Sequence, residues 1–217
     1  MLKCNILAHR GCWNTSEDKN SIDALTMALD IGYGIETDLR DLNGSLVVCH
    51  DPATTRNSFP ADKLFSYYSN KGCKSKLALN IKSDGLQELL KRSLDLHSIS
   101  ADNFYVFDMS IPDLSQYLKA RIPSYTRLSD LETEPVLINQ CKGIWLDDFN
   151  GCNSNTELIE KYLLLNYPVA VVSPELHGRC SETLWSEIKD KDLHRDKNFY
   201  LCTDRPDAAF EFFKVEK

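Results

Sequence analysis

The strongest constraint on what this chain can become is an alternation. Eight short runs rich in β-branched and aromatic residues lie at 5–9, 34–39, 77–82, 103–108, 123–127, 143–147, 168–173 and 199–203, separated by stretches of helical periodicity. A further run at 45–50 follows the turn pair Asn43-Gly44 and reads as a hairpin arm. Ile22, Leu25, Ala28 and Leu29 share one helical face, entered at Asn20-Ser21 and stopped at Gly32. Leu86, Leu89, Leu90 and Leu94 repeat the pattern after Asp84-Gly85. Leu158, Ile159, Tyr162 and Leu163 do so after Asn155-Thr156, which offers an N-cap. Pro206 opens a last helix presenting Ala209, Phe210 and Phe213. The stretch 128–142 holds little more than one short helix. Eight strands with interleaved helices predict an α/β chain folded as one compact (β/α)8 TIM barrel over residues 1–217, with a short extra hairpin after strand 2. An open doubly wound sheet, the rival, would need a glycine-rich fingerprint after its first strand, and none is there.

Composition narrows the function classes. Lys+Arg 25 against Asp+Glu 32 gives a formal charge of −7, without a basic run, so no nucleic-acid partner is expected. No stretch approaches the roughly 20 apolar residues of a transmembrane segment, and the first ten residues turn polar too soon for a secretory leader. The eight cysteines are scattered and form no C-x-x-C pair; reduced thiols in a cytoplasmic protein are expected.

The polar residues gather at strand ends. In chain order these are His9-Arg10, Glu36-Thr37-Asp38, Asn80-Ile81-Lys82, Asp108, Arg127, Asp147, Ser173 and Thr203-Asp204. In a parallel barrel those ends open on the one face that carries active sites. Glu36 and Asp38, two apart in a strand, point to the same side, as do Asn80 and Lys82. Two carboxylates side by side repel unless a proton or cation lies between them, and oxygen ligands suit Mg²⁺ or Ca²⁺. His9 and His50 each end an apolar run beside a charged residue, and a pair of imidazoles can serve as general acid and general base.

These residues resemble the glycerophosphodiester phosphodiesterase family, within the phospholipase-C-like phosphodiesterase barrels. The resemblance rests on His9-Arg10-Gly11, Asn20-Ser21, Glu36-Thr37-Asp38, Asn43-Gly44, His50-Asp51, Asn80-Ile81-Lys82 and Thr203-Asp204-Arg205-Pro206, in that order. It implies metal-dependent hydrolysis of a glycerol- or polyol-type phosphodiester, a small-molecule substrate. His9 and His50 would be the acid and base, Glu36 and Asp38 the ligands of a divalent cation (Mg or Ca), and Arg10 and Lys82 the phosphate-holding pair. The family places a glutamate where Asn80 stands, so Asn80 is the candidate third metal ligand, with Asp84, Asp108 or Asp147 able to add the missing charge. Lys19 replaces the usual glutamate before the helix-opening asparagine, and the segment between His50 and Leu77 is short for the family's substrate-covering insert.

The run Ser173-Pro174-Glu175-Leu176-His177-Gly178-Arg179 has no counterpart in the family pattern. It reads as a specificity loop in which Glu175 and His177 contact a polar, sugar-bearing alcohol, or as an exposed polar loop. Trp145 shares a strand face with Asp147 and either stacks on substrate or packs in the core. His97 and His194 read as solvated. Two other activities remain open at this level: a lyase that forms a cyclic phosphate, and a degenerate binding barrel in which Asn80 has abolished tight metal binding.

Overall fold

The structure, a computed structural model, describes residues 1–151 and 156–214. It is the expected barrel. The elements run β1 (Ile6–His9), α1 (Ile22–Ile31), β2 (Gly34–Leu42), β3 (Ser45–Val48), β4 (Phe59–Pro60), α2 (Ala61–Asn70), β5 (Leu77–Ile81) and α3 (Gln87–Leu96). The second half follows with β6 (Phe104–Phe107), α4 (Ile111–Lys119), β7 (Tyr125–Leu128), β8 (Gly143–Leu146), α5 (Thr156–Leu164), β9 (Val169–Val172), α6 (Glu182–Asp190), β10 (Phe199–Thr203) and α7 (Pro206–Phe213). The parallel ring is β1, β2, β5, β6, β7, β8, β9 and β10, closed by the pairing of β1 with β10. The hairpin partner β3 runs antiparallel to β2, and β4 adds two residues to its outer edge.

Alternation along the strands builds two cores. Outward residues such as Ile6, Ala8, Ile35, Leu79, Val106 and Ile144 pack against the helices. Inward residues Leu7, Ala78, Tyr105, Phe107, Tyr125, Trp145, Ala170, Val172 and Cys202 fill the barrel, with Tyr105 stacked on Tyr125 at 3.6 Å and Phe107 on Trp145 at 3.8 Å between ring centroids. Trp145 is therefore mainly core. Inward residues one step further toward the C-terminal ends of the strands are polar, and they form the floor of the mouth.

Local signals explain most of the helices. Ser21 Oγ accepts from the Ala24 N–H at 3.1 Å and caps α1, which ends at Gly32 in the left-handed region. Gly11 is obligatory: its φ is +92°, and a Cβ there would meet the Ala24 carbonyl carbon at 2.5 Å. Helices α2, α4 and α6 are additional to those read from the sequence; α2 buries Ala61, Leu64, Phe65 and Tyr68 at three- and four-residue spacing. Between β7 and β8 only a 3-10 turn (Ile138–Gln140) is found where the barrel's eighth helix would stand. Asn155 and Cys152 lie outside the described residues; the seven described cysteines are free thiols. His194 corrects the expectation of solvation. It is buried against Phe213, their ring centroids 5.4 Å apart. No described helix is long and apolar enough to cross a membrane.

Candidate active site

His9, Arg10, Glu36, His50, Asn80, Lys82 and His177 line one cavity of about 270 Å³ at the C-terminal mouth, together with Asp108, Arg127, Trp145, Asp147 and Phe149. The register puts them there. His9 pairs with Glu36 across β1 and β2, and Asp38 with Asn80 across β2 and β5.

Asp38 is the charged hub beneath the cavity. It is 0% exposed, yet its carboxylate meets Arg10 Nε at 3.0 Å and Lys82 Nζ at 3.5 Å and accepts from Asn20 Nδ2 at 2.7 Å. A buried carboxylate tolerates that position only with such partners. Lys82 also reaches Asp108 at 3.3 Å, and Asp108 in turn holds Arg127 at 2.9 Å. Arg10 and Asp108 both have positive φ, +59° and +75°, backbone strain of the kind that concentrates at functional sites.

His9 Nδ1 lies 2.5 Å from Asp204 Oδ1, and Lys19 Nζ grips the other oxygen of Asp204 at 3.2 Å. A carboxylate at Nδ1 fixes the proton there and leaves Nε2, 3.9 Å from Glu36, as the acceptor facing the site. Burial pushes the His9 pKa down, against the upward pull of Asp204, with Arg10 and Lys19 adding to the depression. The Asp204 carboxyl lies below its usual range: burial works to raise it, but the bond and charge of His9, with Lys19, outweigh that. Glu36 is pushed up to about 8, first by burial and then by the charge of Asp38. His50 is exposed and pairs through Nδ1 with Asp51 at 2.8 Å.

Among the described residues, Glu36 Oε2 and Asn80 Oδ1 in the floor have no hydrogen-bond partner, and Asp38 Oδ1 has the Lys82 ammonium at 3.5 Å but no hydrogen bond. This all-oxygen set fits a hard divalent cation. It carries only two carboxylates, and among the described residues no cluster of three His, Cys, Asp or Glu is placed to hold a metal. The aspartates that could have added a charge are otherwise engaged. Asp84 accepts from the Ser110 hydroxyl, Asp108 is held by Lys82 and Arg127, and Asp147 pairs with His177 at 2.7 Å.

The loop after β9 divides. His177 faces the cavity, with the Phe149 ring 5.3 Å away. Glu175 does not line the cavity: its carboxylate takes the hydroxyls of Ser173 and Thr203 and the N–H of Asp204, the last at 3.3 Å. It is a strut beneath the residue that orients His9. Sequence reasoning placed Asp204 at a strand end without a role. The signal was available, because barrel closure sets Ala8 opposite Thr203 and so brings Asp204 beside His9.

No protein-family profile matches the sequence, and no curated protein matches it. Solved structures do match its fold. A glycerophosphodiester phosphodiesterase from Parabacteroides distasonis aligns over 96% of both chains with 18% identity and a TM-score of 0.72. One from Agrobacterium tumefaciens aligns over 96% of this chain and 98% of its own, with 16% identity and a TM-score of 0.67. An Oleispira antarctica phosphodiesterase in complex with its product sn-glycerol-3-phosphate aligns over 97% of both, with 15% identity and a TM-score of 0.71. This chain thus has the (β/α)8 barrel fold of the glycerophosphodiester phosphodiesterase structures, end to end.

Proposed function

We propose that the protein is a phosphoric diester hydrolase acting on a glycerol- or polyol-type phosphodiester. The observation that carries this reading is the grouping of His9, His50, Arg10 and Lys82 around one cavity, with both cations anchored on Asp38. Arg10 and Lys82 hold the non-bridging phosphate oxygens; their shared counter-ion fixes their position before substrate arrives. His9, kept neutral by burial, takes a proton of the attacking water at Nε2, and Asp204 stabilises the imidazolium so formed. The new P–O bond forms as the bond to the departing alcohol breaks. His50, which lines the same cavity and is open to solvent, gives that alkoxide its proton. Glu36, Asp38 and Asn80 would hold a Mg²⁺ or Ca²⁺ ion, which when bound neutralises charge on a phosphoryl oxygen. The fold similarity supports the assignment, as does the bound product of the Oleispira antarctica protein.

The test is turnover of glycerophosphodiesters with and without chelator, followed by phosphorus NMR of the product. A cyclic phosphate would identify a hydroxyl of the substrate itself as the nucleophile. Absence of turnover with every divalent cation would remove the hydrolase reading and leave a binding barrel. Asn80→Glu adds the third carboxylate, so calorimetric titration with Mg²⁺ or Ca²⁺ should show affinity about tenfold tighter than wild type. Unchanged affinity would place Asn80 outside the cation shell.

A further inference from the structure

A second cavity, of about 500 Å³, lies against the first. Among the described residues, the two cavities share only Arg10 and His50. One bank of this groove is Lys19, Asn20 and Ser21, ahead of α1; the other is the segment Arg56, Asn57 and Ser58 that leads into β4.

The second bank is a built loop. Asn57 Oδ1 accepts from the N–H and the hydroxyl of Thr54 at 2.7 and 2.8 Å, and Asn57 Nδ2 donates to the Pro52 carbonyl at 3.2 Å. Ser58 Oγ donates to the Thr54 carbonyl at 2.6 Å, and the buried Cys49 thiol donates to the carbonyl of Asp51 at 3.1 Å. These bonds hold Arg56 at the groove. The other groove cations are committed, Arg10 to Asp38 and Lys19 to Asp204. The Arg56 guanidinium has no hydrogen bond or ion pair among the described residues; only its backbone N–H is engaged.

A phosphodiester has two ester arms, and displacement at phosphorus puts the attacking and leaving oxygens on opposite sides in line. With phosphorus held at Arg10, which lines both cavities, the attacking oxygen comes from one cavity and the departing arm lies in the other. His9 lines only the barrel mouth, whereas His50 stands on the boundary with the groove. The nucleophile is therefore deprotonated on the mouth side, and the bond that breaks points toward the groove. We propose that this groove receives the departing alcohol, that it selects a hydroxyl-rich polar group there, and that Arg56 is its specificity-determining contact. The inference rests on the hydrolase reading above. The groove's walls are predominantly hydroxyl, amide and charged side chains, which suit a polyol. The mouth sets Leu128, Trp145, Phe149, Val172 and Leu176 above its charged floor, so its walls are the more apolar of the two.

The test compares glycerophosphoglycerol, whose departing arm is a polyol, with bis(4-nitrophenyl) phosphate, whose departing arm is an aryl group. In Arg56→Ala the ratio of kcat/KM for the first over the second should fall about 10–100-fold, the range for losing hydrogen bonds from a charged donor. Arg56→Lys should recover part of it. An unchanged ratio, or an equal loss on both substrates, overturns the proposal. An NMR titration of the chelator-treated protein with glycerophosphoglycerol gives a readout independent of turnover. Amide shifts at 19–21 and 56–59 are expected, weakened in Arg56→Ala. Shifts confined to 145–149 and 176–177 would overturn the groove assignment even if the diester is hydrolysed. Shifts in the groove without hydrolysis of any diester would instead defeat the hydrolase reading and leave the groove as a polyol-phosphate site.

Discussion

From β1 to β5 the inward positions toward the mouth carry His9, Glu36, Asp38, Asn80 and, just past β5, Lys82, while from β6 to β9 they carry Phe107, Trp145 and Val172, with Arg127 and Asp147 at the rim. The two arcs occupy equivalent places in one ring. The first holds two buried carboxylates, a depressed histidine and a strained arginine, arrangements that cost stability. The second, Arg127 apart, stacks aromatic rings at 3.6 and 3.8 Å, which contribute burial and geometry. Buried charge is thus concentrated on one side and aromatic packing on the other. The polar arc can be unfavourable locally because the aromatic arc and the helix layer hold the frame around it.

The largest effect that would test this division is on turnover. His9→Ala should lower kcat by about 10²–10⁴-fold while the melting temperature stays within a few degrees; near-wild-type turnover would take the acid–base role away from the polar arc. Trp145→Ala should do the reverse in kind, lowering stability by about 3–5 kcal/mol in urea titration through the cavity left beside Phe107. A loss under 1 kcal/mol would mean that the aromatic arc is not the stabilising side. Glu175→Ala should cost about 1–3 kcal/mol, because the Ser173 and Thr203 hydroxyls and the Asp204 N–H lose a common acceptor. If stability is unchanged and KM rises, Glu175 contacts substrate after all.

The smallest effect is on pH dependence, and its sign differs between groups. His9 and His194 have lowered pKa values when folded, so the unfolded chain binds more protons and stability is lost as pH falls below about 6.5. For Glu36 the folded value is raised, so in cation-free protein stability is lost as pH rises from about 4.5 toward about 8. Denaturation across pH 5–8 in EDTA should show the alkaline decline in wild type and not in Glu36→Gln. His194→Asn should shallow only the acid side, leaving the share that belongs to His9 in the polar arc.

Much of this was legible from the residues in order. Strand spacing and the residues at strand ends specified the ring, because inward and outward positions alternate and the mouth must be polar. What escaped reading was which polar group partners which. Glu175 and His177 are two residues apart on one loop, yet one is a strut and the other lines the cavity. Only the meeting of β9 with β10 separates them, since it brings Thr203 under Glu175. His194 looked solvated amid charged neighbours, but the 3-10 turn Leu193–Arg195 rotates it onto Phe213. The α2 helix was missed although Leu64, Phe65 and Tyr68 carry its stripe, because the segment was read only for the length of an insert.

The bare seam between β6 and β7 has a consequence of its own. Among the described residues these strands meet through the single bridge Val106–Ser124, and no α-helix covers the connection after β7. Nearer the rim the join is made by side chains, Arg127 gripping Asp108 at 2.9 Å and Glu132 at 2.6 Å. Backbone ladders elsewhere in the ring are indifferent to dissolved ions, but a partly exposed charge pair is screened by them. Ionic strength therefore acts on this seam more than on the rest of the ring. Added salt weakens the Arg127–Asp108 pair, and with it the anchoring of Asp108, one of the two carboxylates that hold Lys82 in place.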